Sequence, residues 1–177
     1  MSEHFAGCPH VVRAKQFTPS WITSVLYPLA DKEAQLFLAE EKPRPLIGRK
    51  LFCFPVADPT ANSFEAAMTK LGGSISSRTQ HANRIRSMAH GRSFSDTIIL
   101  LNQFGEDVII LDDEKRAERA AEVSSVPIIN VGDGWISQTL FNPYVAQKCP
   151  GEDQAVMGDS QRRLFVSSAL LRIILGA

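Results

Sequence analysis

Cysteine, net charge and long hydrophobic runs are what this 177-residue sequence has least of. Its three cysteines, Cys8, Cys53 and Cys149, lie far apart and form no C-x-x-C pair, which argues against a disulfide framework, a zinc site and redox chemistry. The 19 basic residues balance the 19 acidic ones. Charge therefore gives no reason to expect binding to nucleic acid or to a membrane surface.

The apolar runs are also short. None approaches the roughly 20 residues that a membrane-spanning helix needs, and Met1 to His10 contains no apolar core of signal-peptide length. We therefore expect a reduced, cytoplasmic protein without a membrane partner. Since no pair of histidines has metal-ligand spacing, we also expect neither a metal nor another cofactor.

Glycine, proline and capping residues divide the chain into alternating strands and helices. Pro28 lies inside the first predicted helix and predicts a kink or a break there. The alternation predicts a three-layer α/β/α domain with a parallel sheet of about four strands, closed by a C-terminal helix beside the N-terminal one. Buried strands are predicted at 50–56, 107–111 and 126–131, a β-compatible segment at 74–79, a loop at 81–92, and helices at about 19–41, 58–71, 93–104, 113–123 and 163–175.

Three motifs carry a resemblance to a known family. Residues 63–73, S-F-E-A-A-M-T-K-L-G-G, resemble the segment after the carbamoyl-phosphate loop of aspartate and ornithine carbamoyltransferases. Residues 126–134, V-P-I-I-N-V-G-D-G, are similar to the family's V-P-V-I-N-A-G-D-G, and residues 165–171 are similar to its last helix. The motifs keep the family's order, so the sequence resembles a carbamoyltransferase, closest to the aspartate enzyme's catalytic chain.

The resemblance implies a particular domain organisation. Residues 1–147 correspond to the family's first domain, which binds carbamoyl phosphate. Residues 148–161 are expected to be a linker that replaces the amino-acid-binding domain, and residues 162–177 a helix that packs back on the first domain. The resemblance also implies a homotrimer.

The positions of the family's catalytic residues hold different side chains here. By resemblance, the serine, arginine and threonine of the phosphate cradle fall on Ala57, Pro59 and Thr60, so only the threonine is kept. The arginine at a strand end falls on Leu111, and the histidine that polarises the carbonyl falls on Gln138. Losing one such donor costs about 2.7–4 kcal/mol of barrier. Ordinary aspartate or ornithine carbamoyl transfer is therefore not expected.

Two functional hypotheses remain. The first is a trimeric pseudoenzyme, an accessory, a scaffold or the partner of an active relative, whose pocket is filled by Leu111, Trp135 and Phe141. We favour it because the catalytic set and the second domain are missing together. Asp58-Pro59 then has the chemistry of a plain helix cap.

The second hypothesis is a repurposed biosynthetic enzyme that acts on a small anionic substrate at a subunit interface. Its ligand-binding candidates are Asp58, Thr60 and Gln138, together with His90 and Arg92 contributed by a neighbouring subunit. Its catalytic candidates are His90, Asp58 and Gln138, with His90 as the acid or base. By resemblance, His90 takes the place of a lysine on a loop that reaches into the neighbour's site.

Overall fold

Four short parallel strands form the centre of the fold in the computed structural model, which describes residues 10–54, 59–76, 93–147 and 158–177. The strands are β1 (Lys50–Cys53), β2 (Ser74–Ile75), β3 (Val108–Leu111) and β4 (Ile128–Asn130), in the order β2-β1-β3-β4. Val11 adds a parallel bridge to Ile129 beside β4. The predicted α/β fold with a parallel sheet of about four strands is confirmed.

Alternate residues of the strands point into two separate hydrophobic clusters, because successive side chains of a strand face opposite sides of the sheet. Cys53, Ile110 and Ile129 lie in the larger cluster, whereas their chain neighbours Ile109 and Ile128 lie in the smaller one. Both faces are covered by helices, as a buried parallel sheet requires.

The N-terminal helix contains the irregularity that Pro28 predicts. Thr18 Oγ1 accepts a hydrogen bond from Trp21 N–H (3.2 Å) at its start. Because Pro28 has no N–H to donate to the preceding turn, the helix widens there and Tyr27 N–H donates to Ile22 O. The result is α1 (Pro19–Trp21), a π-helical turn (Ile22–Leu26) and α2 (Tyr27–Leu38).

The three middle helices begin and end close to the predicted positions. The Ser93 hydroxyl accepts from Asp96 N–H (3.2 Å) and the Asp113 carboxylate accepts from Arg116 N–H (2.7 Å) at two of the starts. Gly72, with φ of 88°, follows the first of the three and adopts a backbone conformation that suits glycine. The helices are α3 (Pro59–Lys70), α4 (Phe94–Gln103) and α5 (Glu114–Val123).

The C-terminal helix begins earlier than predicted. After α6 (Asn142–Gln147), α7 runs over Asp159–Leu175 and so begins inside the predicted linker 148–161. Most of the circumference of α7 is buried. The reason is that α7 packs against both α2 and α3, and also contacts α6.

Length and apolar character decide whether a helix can span a bilayer. Across 10–54, 59–76, 93–147 and 158–177, no helix combines the length and the apolar character needed to cross a membrane.

Candidate functional site

The candidate site lies at the carboxyl ends of the parallel strands, the edge at which open α/β sheets bind ligands. Thr60 is in the first turn of α3, which follows β1, and Ser137 lies in the segment after β4. Thr60 Oγ1 and Ser137 Oγ are 3.1 Å apart and share a hydrogen bond. Thr60 is only 1% exposed. The one cradle residue that the resemblance retains is therefore turned into the protein.

A tight turn closes the end of β4 beside this pair. Asn130 is fully buried; its amide donates to Val12 O (3.1 Å) and accepts from Gly132 N–H (3.0 Å). A Cβ atom on Gly132 would lie 2.0 Å from Asp112 O, so only glycine fits against the backbone that follows β3. Close packing against Asp112 therefore requires glycine at position 132, the first residue of the Gly-Asp-Gly motif.

The three residues expected to fill one pocket belong to two clusters instead. Leu111, 2% exposed, packs in the smaller cluster beneath α4 and α5. Phe141 is fully buried in the larger cluster, with its ring centroid 6.2 Å from that of Phe64, and Trp135 packs on the same cluster, 6.3 Å from Phe17. The expectation that these three residues fill one pocket is wrong, because Leu111 faces the side of the sheet opposite to Trp135 and Phe141.

The indole of Trp135 is also polar, and its N–H has no hydrogen-bond partner among the described residues although the atom is buried. Unpaired buried donors are uncommon in folded proteins. The unpaired N–H of Trp135 therefore lowers the stability of the fold locally.

Gln138 lies in a π-helical turn (Ser137–Phe141), and its side chain is exposed. Its amide nitrogen would be 3.8 Å from a Cβ on Gly134. The contact to Thr60 is made by the adjacent Ser137 and not by Gln138. Sequence reasoning missed Ser137 because the resemblance directed attention to the next residue, where the family has histidine.

Asp58, His90 and Arg92 lie outside the described residues, so their part in the site stays a prediction. Within the described part of the chain, no group of three or more His, Cys, Asp or Glu side chains is arranged to hold a metal ion.

Two tyrosines fix the segment after β4 to the N-terminal helix. Tyr27 Oη donates to Leu140 O (3.1 Å), and Tyr144 Oη donates to Asp31 Oδ1 (2.8 Å). Burial raises the pKa of Tyr27. Burial, the hydrogen bond to Asp31 and the negative charge of Asp31 raise the pKa of Tyr144. Both phenols stay protonated at neutral pH and act as structural donors.

Comparison with known proteins gives a consistent assignment. The family model described as aspartate/ornithine carbamoyltransferase, carbamoyl-P binding domain, matches residues 10–140. The aspartate carbamoyltransferase catalytic subunit of Methanosphaerula palustris is 39% identical over 116 residues, 62% of this chain and 38% of its own length. That of Archaeoglobus fulgidus is 35% identical over 146 residues, 77% of this chain and 48% of its own length.

Solved structures show the same relationship. A putative aspartate carbamoyltransferase from Trypanosoma cruzi has a TM-score of 0.68 and 28% identity, covering 80% of this chain and 48% of that one. Aspartate transcarbamoylase from T. cruzi in complex with carbamoyl phosphate and aspartate has a TM-score of 0.67, with 80% and 45% covered. The chain spans less than half the length of these relatives. It belongs to the aspartate/ornithine carbamoyltransferase family, through the carbamoyl-phosphate-binding domain.

Proposed function

We propose that this chain is a carbamoyltransferase-like protein that does not transfer carbamoyl groups and acts as a homotrimeric accessory or scaffold module. The observation that carries the proposal is the state of Thr60, which is 1% exposed and shares a hydrogen bond with Ser137. A hydroxyl that is buried against an internal partner must move toward solvent before it can donate to a phosphate. The polar residue kept from the cradle thus has a structural use.

The chemistry of the surrounding positions supports the same conclusion. Holding a dianionic phosphate needs guanidinium and backbone N–H donors. Pro59 opens α3 without an N–H, and Leu111, where the resemblance places an arginine, is an apolar side chain inside the smaller cluster. Each missing oxyanion donor costs about 2.7–4 kcal/mol of barrier.

The proposed partners are two further copies of this chain or an active relative. Support comes from the family resemblance and from the zero net charge, which offers no repulsion against self-association. The linker predicted at residues 148–161, the last three of which belong to α7, is proposed to stand in the position of the family's amino-acid-binding domain, and α7 is proposed to close the first domain. We also propose a cytoplasmic location, because three cysteines that lie far apart and form no C-x-x-C pair give no reason to expect a disulfide framework.

A second candidate function, the repurposed enzyme, is favoured by one observation. Gln138 is exposed next to Ser137, the partner of Thr60, so its carboxamide is available to a small ligand. In this alternative, Asp58 and a neighbouring subunit's His90 and Arg92 would complete the pocket around it.

Two measurements on the full chain test the proposal. The first is carbamoyl transfer to aspartate and to ornithine, with the A. fulgidus catalytic subunit as the positive control. We expect no product above the uncatalysed background, and turnover of either amino acid would overturn the loss of activity. The second is sedimentation equilibrium, for which we expect a trimer. A monomer at micromolar concentration would overturn the homotrimer and leave the statement about activity to the first assay.

A further inference from the structure

A cavity of about 1020 Å³ lies at the far end of α3 from Thr60. Since α3 has 12 residues and an α-helix rises about 1.5 Å per residue, its two ends are about 16 Å apart. The cavity is bounded by the end of α2, residues 40–44, the end of α3 and Leu164 of α7. It is therefore separate from the candidate site at the carboxyl ends of the strands.

Apolar side chains form one wall of this cavity. Leu36, Phe37, Leu38 and Leu164 line it, and Phe37 and Leu38 are 39% and 58% exposed. Seven of the fifteen lining residues are polar or charged, so the cavity combines this apolar wall with ionic groups, and its volume is near the upper end for small-molecule sites.

The ammonium group of Lys70 lies at the other wall. Lys70 Nζ lies 5.9 Å from the ring centroid of Phe37, 5.0 Å from that of Phe165, and 3.4 Å from Glu33 Oε2. An ammonium group has three donors. Among the described residues, the Glu33 carboxylate is its hydrogen-bond acceptor, at a long distance, which leaves donors for a molecule in the cavity.

The charges behind Lys70 make an anion the complementary ligand. Glu33, 1% exposed at its side chain, is also held by Arg172 at 2.6 Å. Two cations and one anion give this triad one net positive charge. At the rim, Glu40 and Glu41 are balanced by Lys42 and Arg44.

The helix ends at the cavity do not reverse this polarity, because their carbonyls already accept backbone hydrogen bonds. Leu36 O accepts from Glu41 N–H (2.9 Å) and Phe37 O from Glu40 N–H (3.1 Å) at the end of α2. Met68 O accepts from Gly73 N–H (2.9 Å) at the end of α3.

We propose that this cavity binds a small carboxylate with an apolar body, the carboxylate on Lys70 Nζ and the apolar part against Phe37, Leu38 and Leu164. The site is independent of the function proposed for the carboxyl edge of the sheet. A carboxylate in the cavity uses the Lys70 donors that the long contact to Glu33 leaves available, and it forms a charge-assisted hydrogen bond with them.

The test uses octanoate, octanol and octylamine as probes of equal chain length, titrated calorimetrically into the full-length protein below their aggregation concentrations. We expect saturable octanoate binding, octanol binding at least tenfold weaker and no octylamine binding. Lys70→Gln should weaken octanoate binding at least tenfold, whereas Lys115→Gln, an exposed lysine on α5, should leave it unchanged.

A second variant separates binding from folding. Thr69→Trp places a large side chain at an exposed position of the cavity lining and leaves the triad intact. It should abolish octanoate binding in a protein with unchanged circular dichroism. The proposal is overturned if octanoate does not bind, if octylamine binds equally well, or if Thr69→Trp leaves octanoate affinity unchanged.

Discussion

At the residue scale, the hydroxyl groups of Thr60 and Ser137 share a hydrogen bond at the edge of the sheet formed by the carboxyl ends of the strands. The pair is made by residues 77 positions apart, so it fixes the start of α3 against the segment after β4. A buried hydroxyl without a partner costs about 1–3 kcal/mol. The bond therefore has a structural role whether or not a ligand ever reaches the site.

Thr60→Val tests this role. The substitution keeps the shape of the side chain and removes the hydroxyl, so we expect the free energy of unfolding to fall by about 1 kcal/mol. We also expect the response of the melting temperature to inorganic phosphate to be the same in the variant and the parent. Thermal melts with and without phosphate measure both quantities. If Thr60 bound an anion, the parent would show a phosphate-dependent rise that the variant lacks.

His10 predicts a dependence of stability on pH. Its Nδ1 accepts from Ile128 N–H (3.2 Å), and burial lowers its pKa below the ordinary value of 6.5. The unfolded chain therefore binds a proton more readily than the folded one, so stability is full above pH 6.5 and is lost as the pH falls through the lowered folded pKa.

The expected result is a fall in the urea midpoint of unfolding between pH 7.5 and pH 5.5 that is smaller in His10→Asn. Asparagine retains a side-chain acceptor and does not titrate in this range. Other groups titrate equally in both proteins, so the difference between them isolates His10. Equal pH slopes in the two proteins would show that His10 is not responsible.

At the element scale, α7 is held by a charged triad that joins three helices. Glu33 of α2 receives hydrogen bonds from Lys70 of α3 (3.4 Å) and from Arg172 of α7 (2.6 Å). The three residues are far apart in sequence, and a buried carboxylate is stable only with such partners. The triad thus sets the position of α7 along α2 and α3.

Glu33→Ala is expected to destabilise the fold by about 2–4 kcal/mol, because it leaves two cations facing each other beside the core. The figure lies toward the lower part of the range for breaking a buried pair, since Lys70 and Arg172 retain contact with water (21% and 18% side-chain exposure). Chemical denaturation measures it. Glu122→Ala, an exposed glutamate on α5, is the matched control, and a similar small effect of both variants would contradict a stabilising triad.

The elements that the sequence predicts correctly are those whose signals are local. Ser93 and Asp113 are capping residues next to the helices they start, and Pro28 acts on the turn that precedes it. The ion pair of α7 is not a local signal, since Arg172 and its partner Glu33 are 139 positions apart. Nothing in the spacing of Arg172 within its helix shows that it will meet Glu33.

The same distinction applies to the candidate site. Thr60 is identified from the sequence because the motif at residues 63–73 follows it. Its partner Ser137, and the packing of Leu111 and Phe141 in different clusters, depend on which side of the sheet each residue faces. Chain alternation predicts opposite faces for neighbours, but it does not predict which layer of helices each face meets. That assignment comes only from the assembled fold.

At the scale of the whole molecule, the chain holds the carbamoyl-phosphate-binding domain of its family, and the matches cover less than half of the relatives' length. The described elements still form two hydrophobic clusters, one on each face of the sheet, and α7 completes the larger one. We propose that this protein keeps the sheet and helices of its family, whereas the donors that would hold a phosphate are replaced.

The most direct test of this proposal is calorimetric titration of the full chain with carbamoyl phosphate, beside the A. fulgidus catalytic subunit under the same conditions. A bound ligand at a hundredfold excess over its dissociation constant also raises stability by about 2.7 kcal/mol, which a thermal melt of the same samples records. We predict saturable binding and a raised melting temperature for the relative, and neither for this chain. Saturable binding of carbamoyl phosphate to this chain at micromolar affinity would contradict the loss of the site.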